Sequence, residues 1–186
     1  MKKFLIFIFI FFIYNNILSQ QTPPPVNLGI QNILQESPVW CWVAVSQEII
    51  IYSQGSSPSQ LDLAAIAYNI PLQKAHSNPK LCIKTGTLKQ IRFLISRFGG
   101  RYSTINPPTD PFTLYNTLRS GHPIILQIIS GTGTYHVIVI NGMEWQRTIT
   151  GQLIPILFVN DPMSIYIQPL PFDTLIRIWS AAIVVY

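Results

Sequence analysis

The chain has 186 residues, of which 48% are hydrophobic and only 10% charged, with a formal net charge of +5. That balance excludes an intrinsically disordered protein, which needs low hydrophobicity and high net charge. Two cysteines exclude a disulfide-dense miniprotein. The mean hydropathy of +0.33 makes the placement of the apolar residues the first question.

Many of them lie at the start. Met1-Lys2-Lys3 is a short basic opening, residues 4–14 are an unbroken apolar run, and Ser19 is a small residue ahead of Gln20. A basic region, a short apolar region and a small residue describe a secretory signal peptide over 1–19. The run is too short for a membrane-spanning helix, which needs about 20 apolar residues. Ile17 is larger than the residue usually found three before the cut. Export to the periplasm or the medium is the expectation. Removing 19 of 186 residues leaves 167, which suits one domain, and takes two lysines with it, so the net charge falls from +5 to +3. No cluster of Lys and Arg with interleaved aromatics appears, so nucleic acid is not an expected partner. The strongest later apolar stretch, 124–140, contains Gln127, two glycines and His136, which fits core strands and not a bilayer span.

Residues 20–34 form a polar, proline-containing extension. Apolar residues at 42, 45, 49 and 52 give a helical spacing over 41–52, with Gly55 just beyond. A second helix is predicted over 57–70, capped by Ser57 or Ser59 and followed by Pro71. A third covers 87–98, capped by Thr85 or Thr87 and closed by Gly99-Gly100. Asp110-Pro111 starts a fourth that Gly121 ends. The period then changes. Ile- and Val-rich runs at 123–130, 135–141 and 154–160 are bounded by Gly and Pro and read as strands. Asn141-Gly142 and Gly151 read as turns, the latter inside a long hairpin. A short helix over 171–179 and a terminal strand over 181–186 complete the chain. Helices first and strands after give an α+β fold, one layer on the other.

Four positions carry chemistry. Cys41 falls in the predicted first turn of a helix, where partial positive charge favours the nucleophilic thiolate. Gln35, six residues upstream, has a primary amide able to donate to a developing oxyanion beside the Cys41 N–H. His136 opens an apolar strand after the glycine-containing stretch 131–133 and can face a cleft. Asn160-Asp161-Pro162 closes the next strand, and either Asp161 or Asn160 can orient the imidazole.

Gln35, Cys41-Trp42 and Ala44 within a helix, then His136 and Asn160-Asp161-Pro162, resemble the papain-like cysteine peptidases. Gly121-His122-Pro123-Ile124-Ile125 resembles the Gly-x-Pro strand opening of the short bacterial branch. That branch includes the leader-cleaving peptidase domains of bacteriocin exporters and plant-pathogen effector proteases. The separation of Cys41 from His136, 95 residues, is shorter than in papain itself. The resemblance covers 35–186 and implies a helical half carrying Cys41 packed on an antiparallel sheet half carrying His136 and Asp161. It implies Cys41 as nucleophile, His136 as base and Gln35 as oxyanion donor. Asp161 is assigned as orienter because the short branch usually has an aspartate before proline there, with Asn160 second because papain has asparagine. It further implies hydrolysis of a protein or peptide substrate, in the manner of a secreted effector or toxin. The fifteen residues of 20–34 are too few for the folded inhibitory segment of classical papains. Activity is then either unrestrained by such a segment or held back by a partner, such as an inhibitor or immunity protein.

Several plainer readings stand beside these. Cys41 and Cys82 in an exported chain can form a disulfide, which would leave a binding module without chemistry. The same Cys, His and Asp can also deamidate or transamidate glutamine. Trp40 and Tyr135 are candidate substrate contacts because they adjoin the nucleophile and the base. Glu48, two turns past Cys41, reads as helix surface, and His76 as loop. Two cysteines and three scattered histidines offer no metal-ligand spacing, so neither a metal nor an organic cofactor is expected.

Overall fold

The structure is a computed structural model that describes residues 22–129, 133–166 and 168–186. The signal peptide expected at 1–19 and most of the glycine-containing stretch before His136 lie outside those residues. The helices are α1 (Cys41–Gln54), α2 (Gln60–Ala67), α3 (Leu72–Ser77), α4 (Leu88–Gly99), α5 (Pro111–Arg119) and α6 (Phe172–Leu175), with a 3-10 turn at Pro79–Cys82. The strands are β1 (Val26–Asn27), β2 (Ser103–Asn106), β3 (Ile124–Ile129), β4 (Tyr135–Arg147), β5 (Leu153–Asn160), β6 (Leu170–Pro171) and β7 (Trp179–Val185).

Local chemistry sets the helix ends. Ser59 accepts from Asp62 N, Thr87 and Gln90 form a reciprocal capping box, and Asp110 accepts from Phe112 N and Thr113 N ahead of Pro111. Gly55 ends α1 in the left-handed conformation, at φ +76°, and its N–H returns to Ile51 O.

The strands form one antiparallel sheet in the order β2-β7-β3-β4-β5-β6, with β1 added to β4. Alternate residues go to opposite faces. Ile125, Val137, Val139, Ile183 and Val185 pack against α1, α2 and α4. Leu126, Ile128, Ile138, Ile140 and Ala182 pack against Leu114 and Leu118 of α5 and Phe172 and Leu175 of α6. Burial on both faces is why these strands read as continuous Ile/Val runs and not as alternating ones. The fold is α+β, as expected, with α5 and α6 adding cover to the far side of the sheet.

Two local expectations change. Asn141-Gly142 is not a turn but lies within β4, at a register shift in its pairing with β5. Glycine is needed there because β1 crosses closely: a Cβ on Gly142 would lie 2.3 Å from Val26 O. The hairpin turns at Gly151, whose φ is +83° and whose N–H donates to Thr148 O. His76 is not in a loop but in α3, its Nε2 lying 2.6 Å from Asp62 Oδ1. Strand β2 has no strong apolar alternation of its own and forms because β7 supplies its backbone partners.

Candidate active site

Cys41 is the first residue of α1 and is partly exposed. Trp40 precedes it as N-cap, and no described side chain caps the helix. No acid lies in the first turn, so the positive end of the helix dipole acts on Cys41 without a competing charge. α1 itself is a core helix: Val43, Val45, Ile49 and Ile50 are buried against the sheet and α4, which fixes where the thiol emerges.

His136, the second residue of β4, is 6% exposed. Its Nε2 lies 2.7 Å from Asp161 Oδ1. Its Nδ1 is buried and has no hydrogen-bond partner among the described residues, and Cys41 is near enough to act on the ring. Burial opposes protonation, but the hydrogen bond to Asp161 and the hydrogen-bonding and charge influence of Cys41 outweigh it, raising the imidazole to about 9. The ring is therefore held as imidazolium at neutral pH.

Asp161 is 1% exposed. Burial alone would raise its pKa. The bond to His136 and the N–H groups of Tyr166 and Met163 reverse this and hold the carboxyl below the ordinary aspartate value. Met163 N reaches Oδ1 at 2.9 Å, while Ile165 N and Tyr166 N reach Oδ2 at 2.8 and 2.9 Å. Pro162 and Ser164 fold the chain back after Asp161, with Ser164 at φ +56°, so these donors converge on one carboxylate. Asn160, its neighbour on β5, turns the other way, and its Nδ2 donates to Ile30 O and to Glu48 Oε2. Of the two residues considered for orienting His136, the fold brings Asp161 to it.

Gln35 lies between the segments that carry Asp161 and Cys41. Its N–H donates to Pro162 O at 3.1 Å, and its Nε2 donates to Ser37 O at 2.8 Å, in the turn leading to α1. One hydrogen of that amide remains for another acceptor. Its Oε1 is buried without a partner.

Cys41 and His136 open into a cleft of about 540 Å³ whose walls include Val39, Trp42, Leu88 and Met163. Tyr135 stands at this cleft, 64% exposed. Trp40 does not line it. Preceding the helix, its ring turns into the core, 4% exposed, and its Nε1 donates to Cys82 O at 2.9 Å. Trp42 takes that place: its Nε1 donates to Lys84 O, and Gly86 lies flat against its ring.

Cys82 is buried, and burial pushes its thiol up against the opposing influence of Lys84. Both cysteines are free, so the Cys41–Cys82 bridge of the binding-module reading is not formed. Among the described residues no group of three or more His, Cys, Asp or Glu is arranged to hold a metal, and no helix is long and apolar enough to cross a membrane.

Two residues escaped the sequence reading. Glu48 is not on the helix surface but 1% exposed, with Ile33 N on its Oε1 and Asn160 Nδ2 on its Oε2. Gln60 is equally buried, holding Leu34 O and Glu36 N. Their signal was a polar side chain on an otherwise apolar helix face, which periodicity alone does not separate from a surface position.

Among solved structures, the peptidase domain of Streptococcus ComA, described as a bi-functional ABC transporter involved in a quorum-sensing pathway, superposes with a TM-score of 0.56. Identity is 18%, over 84% of this chain and 97% of that one. A putative C39-like peptidase from Bacillus anthracis superposes with a TM-score of 0.55 at 13% identity, over 88% of this chain and 98% of that one. Both are similar in fold. No curated protein matches the chain in sequence. Residues 19–168, a span that contains Gln35, Cys41, His136 and Asp161, match the family model described as papain-like cysteine protease AvrRpt2, and the chain belongs to that family of papain-like cysteine peptidases.

Proposed function

We propose that the protein is an exported cysteine endopeptidase that cleaves a protein or peptide through Cys41, His136 and Asp161. The observation that carries this reading is the buried His136–Asp161 pair facing Cys41 at an uncapped helix N-terminus in an open cleft. The thiolate of Cys41 attacks the scissile carbonyl carbon, and the carbonyl electron pair moves to oxygen. The Cys41 N–H and the free hydrogen of Gln35 Nε2 receive that oxyanion. The carbon–nitrogen bond then breaks as the imidazolium of His136 gives its Nδ1 proton to the leaving amine. Neutral His136 next takes a proton from water, whose oxygen displaces the thiolate and releases the acid. Asp161 fixes the ring and supports its positive charge throughout.

Export through the signal peptide at 1–19, action as an effector or toxin on foreign proteins, and restraint in the producing cell by an inhibitor or immunity protein belong to the same proposal. The test is purified mature protein, assayed against a peptide library beside Cys41→Ala and His136→Ala. Cleavage by the wild type alone supports the reading. Equal cleavage by Cys41→Ala overturns it. The same site can deamidate or transamidate glutamine, and ammonia release from glutamine peptides without backbone cleavage would assign that reaction instead.

A further inference from the structure

The buried face of α1 carries one ionisable side chain, Glu48, two turns past Cys41. A carboxylate in an apolar core is costly unless donors satisfy it. Here Ile33 N reaches Oε1 and Asn160 Nδ2 reaches Oε2, each at 3.0 Å. Each donor adjoins a residue of the site. Ile33 is two residues before Gln35, and Asn160 immediately precedes Asp161. The two segments are also bound to each other: Asn32 Nδ2 donates to Asp161 O, Gln35 N to Pro162 O, and Asn160 Nδ2 to Ile30 O. Glu48 joins this stitched pair to the helix that presents the thiol.

We propose that Glu48 is a positioning residue: its carboxylate locks the Gln35 segment and the Asp161 end of β5 onto the helix of Cys41, setting all three groups in one frame. The inference rests on the peptidase reading above. A hydrophobic residue would fill the same space, and filling space would not align the two segments. The titratable group that acts on Glu48 from just beyond β5 is Asp161, through its charge, while Asn160 makes the contact. Burial first, and then the charge of Asp161, push the Glu48 carboxyl up to about 7 against the opposing bonds from Ile33 and Asn160.

The experiment compares wild type, Glu48→Gln and Cys41→Ala on a peptide that the wild type cleaves, well below the unfolding transition. The amide nitrogen of glutamine has no acceptor lone pair, so one of the two donors loses its partner. Glu48→Gln is expected to lower kcat by about tenfold or more while KM stays within about twofold, as small misplacements of catalytic groups do. The alkaline limb of the pH–rate profile for cleavage, set by the imidazolium of His136, is expected to move to lower pH because Asp161 is no longer held against the ring. A merely structural Glu48 would lower the thermal midpoint and leave kcat and that limb at wild-type values, and this result overturns the proposal. Where Glu48→Gln does not fold, Asn160→Ala removes one donor and leaves Glu48 and Asp161 in place. It is expected to act in the same direction, and wild-type kcat with an unmoved limb overturns the proposal. Cleavage that survives in Cys41→Ala defeats the peptidase reading itself, a failure separate from that of Glu48.

Discussion

His136 Nε2 and Asp161 Oδ1 lie 2.7 Å apart with side chains 8% and 0% exposed, so the pair acts at low dielectric and out of reach of salt. Asp161→Asn keeps the shape and removes the charge. It also turns an amide N–H toward backbone N–H groups that now have a carboxylate. The expected result is a fall in kcat/KM of about 10²-fold, within the range for impaired general acid–base catalysis. The alkaline limb of the pH–rate profile should move from about 9 down toward the ordinary histidine value of 6.5. A full pH–rate profile of the variant checks both.

Stability should fall with rising pH in two adjacent windows. The Glu48 carboxyl is raised from 4.5 to about 7, so between those values the unfolded chain has released a proton that the folded chain keeps, and stability declines. His136 is raised from 6.5 to about 9, and its contribution, complete below 6.5, is lost as pH climbs through 9. Asp161, held low, acts oppositely, and its contribution disappears as pH falls through its folded value. Thermal midpoints at constant ionic strength should show the lower slope flattened in Glu48→Gln and the upper slope flattened in His136→Ala.

The two cysteines should separate completely. Cys41→Ala should abolish cleavage and leave the thermal midpoint close to wild type, because the site is a cleft and not the core. Cys82→Ser should keep kcat/KM within about twofold and lower stability by about 1–3 kcal/mol, since it places a hydroxyl in a buried, apolar position. Activity and calorimetry on the two variants decide this, and loss of activity in Cys82→Ser would contradict it.

Gly86 is where backbone and indole leave no room. A Cβ added there would lie 2.1 Å from Trp42 Cδ2, and the Trp42 ring is buried and cannot swing away. Gly86→Ala should displace the segment at residues 85–88 into the cleft, with a rise in KM and a loss of about 1–3 kcal/mol of stability. Steady-state kinetics and a melting curve of the variant test this.

What the sequence determined was local. Ser59, Thr87 and Asp110 are caps because their oxygens reach N–H groups two or three residues on, and no distant contact is needed for that. Cys41 at a helix start is likewise set within one short segment, and the fold makes it the first residue of α1. The tertiary structure decided everything that depends on which face a residue turns to and what covers it. Asn160 and Asp161 are chemically similar neighbours, but the last position of β5 turns Asn160 to Glu48 and the turn that follows brings Asp161 to His136. Trp40 and Trp42 flank the same cysteine, and only the turn before α1 sends the first into the core and leaves the second in the cleft wall. Glu48 looks like a surface residue until the segment at 30–35 folds over α1 and Ile33 and Asn160 supply its donors, because burial is a property of long-range packing and no local pattern records it.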